Sequence, residues 1–149
     1  MNRYEELKDI QGERVDAFLM KYAFFAFNED QFREGLRKLG VPEEEAGARL
    51  YRMGDTGGYY LKERAEEYRK LWEELDREIQ NAIHDPETGP EFAFQMFHYE
   101  LLNHEYGYTG DTWETLNGLG LTLEEVQADP IMNEALEKAK KAILKNGGE

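Results

Sequence analysis

Residues 62–84 read KERAEEYRKLWEELDREIQNAIH, and the spacing of their apolar positions decides the fold class. Tyr68, Leu71, Trp72, Leu75, Ile79, Ala82 and Ile83 follow one another by steps of 3, 1, 3, 4, 3 and 1. That is the pattern of one face of an α-helix with about 3.6 residues per turn. The stretch is predicted to be one long helix packed through positions 68, 71, 72, 75 and 79. Just upstream the pattern changes. Leu50-Tyr51-Arg52-Met53 and Tyr59-Tyr60-Leu61 flank Gly54-Asp55-Thr56-Gly57-Gly58, two aromatic or aliphatic runs around a glycine-rich turn, which is how a hairpin reads. Earlier still, Ala23-Phe24-Phe25-Ala26-Phe27 is a short apolar run ending at Asn28. It is predicted to be a buried strand that joins the hairpin in a small antiparallel sheet of about three strands.

The rest of the chain reads as helices. Tyr4, Leu7, Val15, Phe18 and Leu19 recur at near-helical spacing, with Gly12 weakening the middle of that first helix. Asn28 is suited to cap the next one with Gln31 as its reciprocal partner, Phe32, Leu36 and Leu39 form its apolar face, and Gly40 and Pro42 stop it. Beyond the loop at 85–89, Pro90 suits the first position of a helix carrying Phe92, Met96, Phe97, Leu101 and Leu102 and ending near Gly107. Asp111 or Thr112 would cap a short helix with Trp113 and Leu116, closed by Gly118 or Gly120. Thr122-Leu123-Glu124-Glu125 is a capping-box pattern, and Asp129-Pro130 opens a last helix with Ile131, Met132, Ala135, Leu136, Ala139 and Ile143 inward. The expected fold is α+β: a mostly helical single domain with a small antiparallel sheet in the N-terminal half.

Composition narrows the chemistry. A chain of 149 residues has the length of one domain. At 40% hydrophobic and 13% aromatic it has ample material for a core and is too apolar for a disordered acidic tail. Cysteine is absent, which removes thiol catalysis, Cys-based zinc sites and iron–sulfur ligation and fits a reducing cytoplasm. Serine is absent too, and no GxGxxG or Walker pattern occurs. No apolar run approaches the roughly 20 residues of a membrane span, and the start MNRYEELKD lacks the apolar stretch of a signal peptide. A soluble, cytoplasmic protein is expected.

The placement of charge is the most informative feature. The 32 Asp and Glu outnumber the 18 Lys and Arg, for a formal net charge of -14. Residues 1–77 hold 18 acidic and 14 basic residues, whereas residues 78–137 hold 13 acidic residues and no Lys or Arg. Nearly the whole imbalance falls in that stretch, which contains nothing to neutralise its own carboxylates. Such a surface repels phosphate, so it argues against direct contact with nucleic acid or an anionic membrane and for a cationic partner.

Catalytic constellations are sparse. Asp55-Thr56-Gly57 matches the tripeptide of aspartic proteases, but those enzymes pair two such aspartates in a β-rich fold, and a glycine-rich turn accounts for these residues. His84, His98 and His104 lie inside the acidic stretch. Glu100 and His104 share a helix face, yet two ligands do not make a zinc site, and the simpler expectation is that Glu100 accepts a hydrogen bond from His104 or that both face solvent. No catalytic residue, bound metal or cofactor is expected. Tyr99, Tyr106, Tyr108 and Trp113 cluster around the run at 103–111; aromatic rings with polar tips beside carboxylates make a usable binding surface, on which Arg or Lys can stack. The expected partner-contacting residues are Glu100, Glu105, Tyr106, Tyr108, Asp111, Trp113, Glu114, Glu124, Glu125 and Asp129.

Four segments carry a family likeness: Phe24-Phe25-Ala26-Phe27-Asn28 through Gln31-Phe32; Gly57-Gly58-Tyr59-Tyr60; Asn103-His104-Glu105-Tyr106 with Tyr108-Thr109-Gly110-Asp111; and Gly120-Leu121-Thr122-Leu123-Glu124-Glu125-Val126. Together they resemble an uncharacterised family of short acidic proteins found in gut Firmicutes, their phages and mobile elements. That resemblance carries no activity and transfers no site residue. Its setting implies an inhibitor of host defence, of the anti-CRISPR or anti-restriction type, acting by binding. The expected function is a non-catalytic acidic protein that engages a basic, nucleic-acid-binding protein surface, such as that of a CRISPR effector or restriction enzyme. The alternative is an intracellular metabolic protein, metal-dependent or not, whose acidity serves only solubility.

Overall fold

The computed structural model describes residues 2–145. Helix α1 (Arg3–Tyr22) runs directly into strand β1 (Ala23–Phe25), followed by α2 (Glu29–Leu39), a 3₁₀ turn (Glu43–Glu45), α3 (Ala46–Arg49), β2 (Leu50–Arg52) and β3 (Gly58–Leu61). A second 3₁₀ turn (Lys62–Arg64) opens into α4 (Ala65–Ile83). Then come α5 (Gly89–Asn103), α6 (Tyr106–Thr109), α7 (Trp113–Gly118), α8 (Leu123–Ala128) and α9 (Pro130–Lys145). The fold is mostly helical α+β, with its three-stranded antiparallel sheet in the N-terminal half, as the sequence pattern predicts. The chain divides into two compact units, one of residues 9–76 and one of residues 1–8 with 77–149.

In the 9–76 unit the strand order is β1-β3-β2, with Phe24 opposite Tyr59 and Leu50 opposite Leu61. Side chains alternate across a strand, so these four share a face. They pack with Leu36, Val41 and Phe32 in one apolar cluster. Gly35 lets α2 lie this close to β1, because a Cβ there would fall 2.0 Å from the Phe24 ring. Asn28 caps α2 by accepting from Gln31 N at 2.9 Å, and Gln31 Oε1 reaches back to Phe27 N at 2.7 Å. Gly40, at φ 69°, ends the helix.

Two expectations for this unit need correction. The run at 23–27 is not a wholly buried strand: the pleat turns Phe25 outward, and Phe27 lies past the strand end, exposed, where its N–H is already taken by Gln31. Trp72 is not core either. Leu75 is buried, while Trp72 stays 48% exposed and packs edge-on against Tyr68 at a ring distance of 6.2 Å. The indole closes a row of rings, Tyr51, Tyr60 and Tyr68, spaced 5.6 and 5.0 Å apart.

The other unit is built on α5 and α9. Phe92, Ala93, Met96, Phe97 and Leu101 of α5 are buried with Met132, Ala135, Leu136, Ala139 and Ile143 of α9, joined by Ile83, Leu116, Val126 and Tyr4. Thr122 and Glu125 form the expected capping box at the start of α8, bonding N–H groups at 3.1 Å in each direction. Helix α5 stops at Asn103 rather than near Gly107. Glu105 adopts a left-handed φ of 56° and starts the separate turn α6, which turns Tyr106 inward.

Candidate partner-binding surface

Charge is handled differently in the two units. In residues 9–76, arginines lace the carboxylates: Arg33 lies 3.5–3.6 Å from Glu29, Asp30 and Glu43, Arg49 reaches Glu45 and Glu63, and Arg69 pairs with Glu66 and Glu73. The stretch 78–137 has no such residues of its own. Counter-ions reach carboxylates of this stretch from outside it: Lys8 lies 2.9 Å from Glu100, Lys138 3.1 Å from Glu134 and Lys140 3.0 Å from Glu137. Its field is therefore weaker than the count of 13 acidic residues implies.

Three of the expected contact residues are engaged inside the fold. Glu100 lies on the buried stripe of α5, where it accepts hydrogen bonds from the Tyr4 hydroxyl and from Lys8 Nζ at 2.9 Å. Burial works to raise its pKa, but the bonds from Tyr4, Lys8 and Asn103 outweigh that and hold the carboxyl below its usual range. The same burial, with the bond to Glu100, pushes the Tyr4 hydroxyl well up. Tyr106, at 5% exposure, is a core residue rather than a surface anchor. Asp129 caps α9, accepting from Ile131 N at 2.9 Å and Met132 N at 3.2 Å, and its second oxygen meets His84 Nε2 at 2.5 Å.

The other seven remain on the surface. Glu105, Asp111, Glu114, Glu124 and Glu125 are exposed and, among the described residues, have no Lys or Arg within ion-pair distance. Tyr108 is 89% and Trp113 66% exposed. Asp111 sits at the start of α7, where one carboxylate oxygen accepts from Trp113 N at 2.8 Å. Asp111, Trp113, Leu116, Leu121 and Leu123 line one shallow groove of about 380 Å³. Of these, Leu116 is buried and Leu123 is 48% exposed.

The histidines do not assemble a metal centre. His104 Nδ1 bonds the backbone carbonyl of Glu100 at 2.8 Å and not its carboxylate, correcting the expected side-chain pair. His98 stacks on Phe94. Among the described residues, no three His, Asp or Glu converge as metal ligands. Sequence reasoning missed the Tyr4–Lys8–Glu100 cluster and the His84–Asp129 pair, which join residues up to 96 positions apart. One signal was present: Glu100 falls four residues after Met96 and three after Phe97, on an otherwise apolar stripe.

Fold and surface thus define a mostly helical α+β protein that presents carboxylates beside exposed aromatic rings. Over residues 3–142 the chain matches the family of unknown function DUF7659, and it belongs to that family. No curated protein and no solved structure matches it. Among the described residues no helix is long and apolar enough to cross a membrane.

Proposed function

We propose that this protein is a non-catalytic inhibitor that binds a basic, nucleic-acid-binding surface of another protein and excludes nucleic acid from it. One observation carries the reading: five exposed carboxylates have no Lys or Arg at pairing distance among the described residues, and three of them, Glu105, Asp111 and Glu114, stand within three residues of exposed Tyr108 or Trp113. Unmatched surface charge speeds encounter with an opposite surface and fixes orientation. Tyr and Trp supply the desolvated contacts that slow dissociation. The same sign disfavours phosphate, so nucleic acid is the competitor and not the ligand. The resemblance to proteins of Firmicutes, their phages and mobile elements supports a defence target in the cytoplasm, of the anti-CRISPR or anti-restriction type. The test is competition: the protein is titrated into complexes of labelled nucleic acid with a CRISPR effector and with a restriction enzyme. Displacement that weakens as salt rises is expected. Retention of nucleic acid by every partner at low salt would overturn the proposal.

A further inference from the structure

We infer that the groove at residues 111–123 takes an aliphatic side chain presented by a Lys- and Arg-rich amphipathic helix of the partner. The inference rests on the binding reading above and specifies what that surface holds. Half of the groove's lining is apolar: Trp113, Leu116, Leu121 and Leu123 stand among three neutral polar side chains and Asp111. An aliphatic anchor laid against these apolar members removes two exposed side chains, Trp113 and Leu123, from water. At about 380 Å³ the groove falls in the lower part of the range for sites that enclose a ligand, roughly 300–1,000 Å³, which suits side chains better than a large cofactor.

Charge complementarity names the flanks of that anchor. Asp111 lines the groove, Glu114 follows Trp113, and Glu124 and Glu125 follow Leu123. Asp111 spends one oxygen on Trp113 N and Glu125 one on Thr122 N, so each retains acceptor capacity for a cation. An anchor with acidic or neutral neighbours would leave these carboxylates unmatched. A helix is favoured over an extended segment because strand addition needs an open sheet edge. The groove is walled by α7 and the start of α8, and the backbone N–H groups of Thr122 and Glu125 are already satisfied by the capping box. Recognition must therefore run through side chains, which a helix can present at i, i+3 and i+4.

The chain carries similar chemistry at the end of α9, where exposed Leu144 lies between Lys141 and Lys145. A second copy is thus the alternative occupant, and the test includes it. With Trp72→Phe, Trp113 becomes the sole tryptophan and reports on the groove by fluorescence. The probes are three synthetic helical peptides: leucines on one face and lysines on the other; the same lysines with glutamines replacing the leucines; and the same leucines with glutamates replacing the lysines. The Leu/Lys peptide should bind with a blue shift of Trp113, at least about tenfold more tightly than either control, and Leu123→Ala should weaken it about fivefold without moving the Gln/Lys peptide. Equal binding of the Leu/Lys and Gln/Lys peptides would remove the anchor while leaving the acidic binding surface intact. Failure of every lysine peptide at low salt would remove both. Equal binding of the Leu/Glu peptide would contradict the role of the carboxylates. Self-association in sedimentation that Leu144→Glu abolishes would assign the groove to a second copy instead.

Discussion

Glu100 is a carboxylate among apolar neighbours, and three hydrogen bonds decide its state. Tyr4, Lys8 and Asn103 all donate to it, so it stays ionised although burial opposes that. Its folded pKa lies below the ordinary value of 4.5, so its contribution to stability is present above that value and is lost as pH falls through the folded one. Tyr4→Phe, which removes one donor from a buried charge, should cost about 1–3 kcal/mol by urea denaturation at neutral pH. Glu100→Gln should also destabilise, and its gap from the wild type should narrow as pH falls below 4.5. A gap independent of pH would mean that the carboxylate is not held ionised by these partners. At this scale the sequence is least legible, because nothing local in residues 4, 8 or 100 indicates that they meet.

Among the elements, legibility follows how much of an element's structure is decided within a few residues. The α8 capping box, the Asn28 cap and the inward residues of α9 follow from local hydrogen bonds and period, and the structure has them as the pattern requires. Trp72 illustrates the limit. Periodicity puts it beside the buried stripe, but the width of that stripe depends on what packs there, and Leu75 rather than the indole reaches the core. The turn α6 was unreadable for a related reason, since a left-handed Glu105 is a costly choice, made where its backbone bonds Leu102, Tyr108 and Thr109 and Tyr106 is buried. The His84–Asp129 contact fastens the end of α4 to the cap of α9. Hydrogen bonds to Asp129 and to the Gln80 carbonyl raise the His84 pKa above 6.5. The stabilisation is therefore complete below 6.5 and lost as pH rises through the folded value. His84→Gln should be less stable than the wild type at pH 6, with the difference shrinking in more alkaline buffer. Asp129→Ala, which removes the cap as well, should cost about 1–2 kcal/mol at any neutral pH. Identical pH profiles for His84→Gln and the wild type would show that the pair contributes nothing.

For the whole molecule, the sequence reads as one domain, and its contacts gather into two compact units whose boundaries fall within the continuous helices α1 and α4. The two tryptophans fall in different units and can be read separately as Trp72→Phe and Trp113→Phe variants. Helix continuity favours one transition, so the two reporters should give the same urea midpoint once each variant's own stability is matched; separate midpoints would mean that the units unfold independently. Charge is also a property at this scale. The imbalance at 78–137 was legible by counting, but which carboxylates remain unmatched was not, because Lys8, Lys138 and Lys140 approach from other parts of the chain. The surviving surface at Glu105, Asp111 and Glu114 is the centre of the account. Its most direct test is the salt dependence of nucleic-acid displacement from a CRISPR effector or restriction enzyme, measured for the wild type beside a variant with Glu105→Lys, Asp111→Lys and Glu114→Lys. Displacement by the wild type should weaken steeply with salt, and the variant should be at least about tenfold less potent with a flatter salt response and an unchanged fold. Equal potency of the two proteins across the salt series would contradict it.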